Sequence, residues 1–170
     1  FLEKAGFGAG LVAEGIRLKE GECLERAVHL SAFATPEELP GGEDFDLLIV
    51  AVKAFDTEEV AKSLSSRASS FRKILTFRNG IGNEEVLAGY FGEEKLIAGV
   101  VTLPISVIEP GSIEIAGGRG GLSLAPVRHG EDLAGIGRVF GGAGFRIEIK
   151  EDYRALKWSK MLLNLLCNAS

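Results

Sequence analysis

Cysteine, histidine and basic clusters are scarce in this chain of 170 residues. Cys23 and Cys167 are far apart and outside any C-x-x-C spacing, which argues against a disulfide framework and against a zinc site. His29 and His129 are the only histidines, and neither has a nearby Cys, Asp or Glu at ligand spacing. We therefore expect no metal site.

Long runs of one charge sign and long apolar runs are also missing. The net charge is -5, and the basic residues form no Lys/Arg block, which argues against nucleic acid as a partner. No stretch reaches about 18 uninterrupted apolar residues, so we expect no membrane span. The first residues do not have the pattern of a signal peptide, and we expect a cytoplasmic protein.

Both ends of the chain look cut. The sequence lacks an initiator Met, and the strongly apolar stretch from Lys157 to Ser170 stops with nothing to pack on. We expect a fragment or an incompletely recorded chain. Dimer packing and domain packing would explain the apolar terminal helix equally well, so a homodimer is one expectation among two.

Continuous apolar runs predict central strands that are covered on both faces. These runs are 45–52, 73–77 and 95–101. Helical patterns separate them, with Asp56 and Glu59 as the expected capping box of the first helix (57–68) and Asn83 as the expected cap of the second. This β-α-β-α-β order predicts an α/β fold with a doubly wound parallel sheet.

Shorter strands flank this unit. Residues 15–19 and 26–33 alternate like exposed or edge strands. Three short runs separated by glycine turns predict an antiparallel extension of the sheet, namely 106–108, 112–115 and 121–124. A helix near 131–141 and a strand at 145–149 follow. Asp152 is the expected cap of a long helix from Tyr153, and we place a domain boundary near residue 151.

Two polar residues follow predicted strands. Lys53 and Asn79 stand at the carboxyl ends of neighbouring strands, where α/β sheets bind ligands. We expect them to face a cofactor or a substrate. In the alternative interpretation, Lys53 is a solvated strand end and Asn79-Gly80 is a turn pair.

The final helix carries a polar row. Lys160, Asn164 and Asn168 are spaced so that they share one helix face among Leu, Met and Trp residues. Such a row is costly to bury unless a polar ligand satisfies it, and an apolar setting suits a lysine for proton donation. Alternatively, the row faces water as on any amphipathic helix.

One glycine motif is interpreted as a chance match. The segment from Gly8 to Ala13 formally matches G-x-G-x-x-A. A dinucleotide-binding fingerprint follows a buried strand and opens a helix, and neither pattern is present around it.

Three blocks in order resemble the ketopantoate reductase family (2-dehydropantoate 2-reductase). They are D-L-L-I-V-A-V-K-A from Asp46, R-N-G-I-G from Arg78, and K-W-S-K-M-L-L-N-L-L-C-N from Lys157. The resemblance implies a Rossmann-like domain at 1–150, lacking its N-terminal βαβ start. It also implies that 151–170 are the first helix of an all-α C-terminal domain.

The resemblance implies NADPH-dependent reduction of a 2-oxo acid, ketopantoate, to pantoate in pantothenate and coenzyme A synthesis. Lys160 would be the general acid, and Asn164 and Asn168 would hold the substrate. Asn79 would lie near the nicotinamide and the substrate, and Lys53 would lie by the NADP(H) cofactor.

The chain departs from the family pattern in three ways. By the resemblance, we expect the phosphate loop and the residue that selects NADP to be missing before Phe1, and the helical domain to be missing after Ser170. Arg78 stands where the family often has Gln. Three alternatives stay open: a reductase of another 2-oxo acid, a non-catalytic nucleotide-binding module, and an α/β domain without a ligand.

Overall fold

A computed structural model describes residues 2, 15–20, 24–28, 31, 33–42, 44–109, 111–115 and 120–168. The described residues divide into two compact units. One unit comprises residues up to Gly41 together with Leu103–Gly120, and the other comprises Gly42–Thr102 together with the residues from Gly121 onward. The predicted boundary near residue 151, which separates a cofactor domain from a substrate domain, stays a prediction.

The larger unit is built on a five-stranded sheet. Its strands are β3 (Phe45–Val50), β4 (Phe71–Thr76), β5 (Leu96–Val101), β8 (Leu122–Pro126) and β9 (Ile147–Ile149), in the spatial order β3-β4-β5-β8-β9. The first three strands are parallel, β8 is antiparallel to β5, and β9 is parallel to β8. The predicted β-α-β-α-β order with parallel central strands is confirmed.

Four α-helices accompany this sheet in the described part of the chain. They are α1 (Thr57–Leu64), α2 (Asn83–Phe91), α3 (Ala134–Gly142) and α4 (Tyr153–Asn168). In α1, Ala61 and Leu64 are buried at helical spacing, as expected of a helix with one covered face. The core between sheet and helices centres on Leu75, Ile97, Leu124 and Leu133, all of them buried.

The smaller unit is a four-stranded sheet. Its strands are β1 (Ile16–Glu20), β2 (Leu24–Val28), β6 (Ile105–Glu109) and β7 (Ser112–Ile115), in the spatial order β2-β1-β7-β6. An ion pair between Arg17 and Glu109 links β1 to β6.

The prediction of an antiparallel extension is wrong for two of its three strands. Only the strand predicted at 121–124, which is β8, continues the parallel sheet in the antiparallel direction. The strands predicted at 106–108 and 112–115 are β6 and β7, which pair with each other, and β7 pairs with β1 in the separate sheet. Alternation of apolar and polar residues indicates a strand but not its partner, and the pattern therefore left the sheet undetermined.

The two predicted N-terminal caps are wrong. Asp56 makes no capping hydrogen bond, because a 3-10 turn at Ala54–Asp56 runs straight into α1 and gives Asp56 a helical backbone. Gly82, rather than Asn83, precedes α2, and its left-handed φ of 100° sets the entry into the helix. Asn83 is the first residue of α2 itself.

The first helix is also shorter than predicted. It ends at Leu64, and a 3-10 segment at Ser65–Ser70 replaces the predicted continuation to residue 68. The hydroxyls of Ser63 and Ser65 donate to the carbonyls of Val60 and Lys62, and such side-chain bonds compete with regular helix at its end.

Asp152 caps α4 as predicted. Its Oδ1 accepts hydrogen bonds from the backbone N–H groups of Arg154 and Ala155, at 2.8 and 3.0 Å. None of the helices in the described ranges has the length and apolarity that a membrane crossing requires. The glycine motif at 8–13, Cys23 and His29 lie outside the described residues.

Candidate active site

The carboxyl ends of β3 and β4 bring Lys53 and Asn79 to one edge of the larger sheet. The two strands are parallel neighbours in register, with Val50 paired to Thr76. Lys53 follows Val50 at the same distance along the chain as Asn79 follows Thr76. Both side chains are exposed at this edge, which is the edge where open α/β sheets bind ligands.

Lys53 opens the turn that leads into α1. Its backbone carbonyl accepts a hydrogen bond from the N–H of Asp56 at 2.9 Å, which closes the 3-10 turn. Its ammonium stands 5.8 Å from the ring centroid of Phe55, and that ring is 79% exposed. A cation and an open aromatic face therefore lie side by side at the sheet edge.

Asn79 stands in a loop that two glycines shape. Gly80 and Gly82 have φ of 90° and 100°, and no atom lies within 4 Å of the position a Cβ would occupy on either. Backbone conformation rather than crowding is thus the reason for glycine here. The carboxamide of Asn79 has no hydrogen-bond partner among the residues described, so its donor and acceptor are open to a ligand.

Helix α4 has its polar row on the covered side. Lys160 and Asn164 are half-buried and share a face with Lys157, which is buried. The large apolar residues lie on the other faces and are exposed: Trp158, Leu162, Leu163, Leu165 and Leu166. This distribution is the reverse of an ordinary surface helix, and the role expected for the polar row stays a prediction. The side chain of Asn168 lies outside the described part.

A buried ion pair joins α4 to α2. The Lys157 ammonium lies 2.7 Å from Glu84 Oε1, and the two side chains are 4% and 1% exposed. The same ammonium donates a hydrogen bond of 2.5 Å to the backbone carbonyl of Arg78. Sequence reasoning missed this pair, although Lys157 opens the third sequence block.

A second buried contact joins the starts of α1 and α2. The hydroxyl of Thr57 donates to Oδ1 of Asn83 at 3.1 Å, and both side chains are buried. Since Thr57 begins α1 and Asn83 begins α2, this bond holds together the two segments that carry Lys53 and Asn79.

One buried donor near the site has no acceptor. Nε of Arg78 is buried and lacks a hydrogen-bond partner among the described residues. Buried donors are normally satisfied, and a polar ligand beside the Arg78-Asn79 loop would satisfy this one. Together with the open groups of Lys53 and Asn79, it fits a polar, anionic cofactor or substrate at this edge.

The hydrogen bond between Lys157 and the Arg78 carbonyl fixes the position of α4 relative to the loop after β4. Asn79 directly follows Arg78, and Lys160 follows Lys157 by about one helical turn, or roughly 5 Å along the axis. Lys160 and Asn79 thus flank a single contact. An ammonium and a carboxamide on the two sides of this contact can hold a carboxylate and stabilise negative charge that develops on an oxygen.

Known proteins are similar to this chain in sequence. The family model for ketopantoate reductase PanE/ApbA matches residues 6–129. The 2-dehydropantoate 2-reductase of Archaeoglobus fulgidus is 30% identical over 172 residues, covering 98% of this chain and 56% of the relative. The chain spans about half the length of the curated relatives it matches.

Solved structures are similar to this chain as well. The crystal structure of 2-dehydropantoate 2-reductase from Geobacter metallireducens superposes with a TM-score of 0.82 at 26% identity, covering 97% of this chain and 54% of that one. The ternary structure of D-mandelate dehydrogenase with NADH and anilino(oxo)acetate shares the fold, with a TM-score of 0.74 at 18% identity, covering 90% and 49%. The chain belongs to the ketopantoate reductase PanE/ApbA family.

Proposed function

We propose that the intact gene product carrying this chain reduces 2-dehydropantoate (ketopantoate) to pantoate with NADPH, in the synthesis of pantothenate and coenzyme A. Support comes from family membership and from relatives named 2-dehydropantoate 2-reductase. The observation that carries the proposal is the reversed polarity of α4, whose covered face holds Lys160 and Asn164 while its leucines are exposed.

Lys160 is the proposed general acid. A carbonyl that accepts a hydride develops negative charge on its oxygen, and a lysine ammonium within hydrogen-bond reach stabilises that charge and supplies the proton. Lys160 is half-buried, and it makes no ion pair with any residue the structure describes. No carboxylate in the described part of the chain therefore neutralises its ammonium.

The carboxamides are the proposed substrate-binding groups. Asn164 stands one turn beyond Lys160 on the same face, and Asn168 follows one turn later in sequence. A carboxamide donates to a carboxylate and accepts from a hydroxyl, so this row suits a 2-oxo acid that also carries a hydroxyl group.

Lys53 and Asn79 are the proposed contacts to the cofactor. When bound, NADP(H) supplies the hydride. In this proposal the exposed Lys53 ammonium pairs with an anionic part of the cofactor, and the exposed carboxamide of Asn79 bonds the nicotinamide and the substrate. D-mandelate dehydrogenase, which shares the fold, was solved with NADH; the preference for NADP, a homodimer and a cytoplasmic location belong to the proposal.

A substrate and cofactor panel tests the proposal. Loss of NADPH or NADH absorbance by the intact gene product is followed with ketopantoate, and with 2-oxo acids that lack its hydroxymethyl group. We expect the highest kcat/KM for ketopantoate with NADPH. A higher value for another 2-oxo acid identifies a relative of different substrate. The absence of turnover with every pair identifies a non-catalytic module, and either result overturns the proposal.

A further inference from the structure

The buried ion pair of Lys157 and Glu84 joins three segments at one ammonium group. Lys157 belongs to α4, Glu84 to the first turn of α2, and the carbonyl that accepts the hydrogen bond of the Lys157 ammonium belongs to Arg78 in the loop after β4. Both side chains are almost wholly buried. Neither residue takes part in the binding or the chemistry proposed above.

Stability alone is a weak reason for such a pair. Removing two charges from water costs much of what their attraction returns, and apolar replacements of similar size are often as stable. What apolar side chains cannot reproduce is the hydrogen bond from Nζ of Lys157 to the Arg78 carbonyl, because it needs a donor at that point. The effect that only the charged pair provides is thus a fixed position of the Arg78 carbonyl relative to α4.

The fixed carbonyl lies between two candidate site residues. Asn79 is the next residue after Arg78, and the loop beyond it contains Gly80 and Gly82, which restrict the backbone little. Lys160 lies about one helical turn after Lys157. A shift of the loop against α4 therefore changes the separation of Asn79 and Lys160 directly.

We propose that Lys157 is a positioning residue of the reduction, which holds the Asn79 loop against α4 through the Arg78 carbonyl, with Glu84 orienting its ammonium. This inference rests on the proposed function. A misplacement of about 1 Å at a reaction centre costs on the order of 100-fold in rate. Loss of this hydrogen bond, the tether, thus lowers kcat, while the cofactor contacts proposed for Lys53 in the turn before α1 stay in place.

The test compares two neutralised ion pairs in the intact gene product. Lys157→Met with Glu84→Leu removes the tether together with both charges. Lys73→Met with Glu131→Leu is the matched control, because Lys73 also pairs with a carboxylate, at 3.0 Å, and also donates to a backbone carbonyl, that of Glu94. Glu84→Gln is the conservative variant, because it keeps the Lys157 ammonium and an oxygen acceptor beside it.

Three readouts are combined: kcat, KM for NADPH, and amide hydrogen exchange of residues 79–82 without ligand. For the Lys157/Glu84 double variant we expect kcat to fall on the order of 100-fold, with KM for NADPH nearly unchanged and faster exchange in the loop. Glu84→Gln retains at least about 10-fold more activity than that double variant, because the Arg78 contact survives. The Lys73/Glu131 control keeps kcat and loop exchange at the wild-type level.

Two results overturn the inference. One is a Lys157/Glu84 double variant with the kcat and loop exchange of the control, and the other is a loss of kcat with unchanged loop exchange. If the wild type shows no reductase activity but the loop exchange still rises, the proposed function fails and the tether itself is supported. The exchange measurement thus separates the two failures.

Discussion

Lys157 and Glu84 form an ion pair of 2.7 Å in which both side chains are buried, and the Lys157 ammonium also binds the carbonyl of Arg78. Charges in this position are costly when one partner is missing, because the remaining charge has no water around it. The pair therefore links the stability of the larger unit to the geometry of its candidate site.

Loss of one partner is expected to cost far more stability than loss of both. Lys157→Met leaves the Glu84 carboxylate buried and unpaired, and we expect it to lower the free energy of unfolding by about 3–5 kcal/mol. Lys157→Met combined with Glu84→Leu is expected to recover most of that loss. Urea unfolding of the two variants checks this, and equal destabilisation of both would show that the charge of Glu84 is not the cause.

Gly82 is expected to be intolerant of a side chain for conformational reasons alone. No atom lies within 4 Å of its absent Cβ, but its φ is 100°, so Gly82→Ala should cost about 1–2 kcal/mol. Gly89 on α2 is the matched control, because it is equally uncrowded and helical. Gly89→Ala should stabilise the protein by about 0.5–1 kcal/mol. Thermal unfolding of both variants measures these changes in stability. The conformational explanation for Gly82 is wrong if the two substitutions shift stability in the same direction.

The ion pair between Lys73 and Glu131 predicts a pH dependence of stability. The Lys73 ammonium, hydrogen-bonded to Glu131 at 3.0 Å, holds the pKa of that carboxyl below its ordinary value of 4.5. Because the pKa is lower in the folded state, the stabilising contribution is complete above 4.5 and is lost as the pH falls through the folded pKa.

Glu131→Gln should therefore reduce the loss of unfolding free energy on acidification. Glu58→Gln serves as the control, because Glu58 is exposed and forms no ion pair within the described part of the chain. Urea unfolding at neutral pH and below pH 4.5 measures the difference. A pH dependence in Glu131→Gln that equals that of the wild type would refute the prediction.

The order of elements was predictable because it depends on local patterns. Continuous apolar runs identify β3, β4 and β5, and the spacing of Asp152 before Tyr153 identifies the cap of α4. The pairing of β6 and β7 was not predictable in the same way. Their alternating residues suit any half-buried sheet, and the choice of partner is made by packing between residues far apart in sequence.

In the candidate site, too, local patterns were predictable and long-range packing was not. Helical periodicity alone placed Lys160 and Asn164 on one face, and the register of parallel strands placed Lys53 beside Asn79. Periodicity does not tell which face is covered. The pairing of Lys157 with Glu84 depends on how α4 packs across the larger sheet, so composition and spacing could not reveal it.

The most direct test of the account is the turnover of ketopantoate by NADPH with the intact gene product and with two lysine variants. The account predicts turnover by the wild type, and a fall in kcat of about 100- to 10,000-fold in Lys160→Ala, which removes the proton donor. Lys62→Ala, which removes an exposed lysine of α1, should keep the wild-type rate. A Lys160→Ala enzyme that reduces ketopantoate as fast as Lys62→Ala would show that Lys160 is not the proton donor.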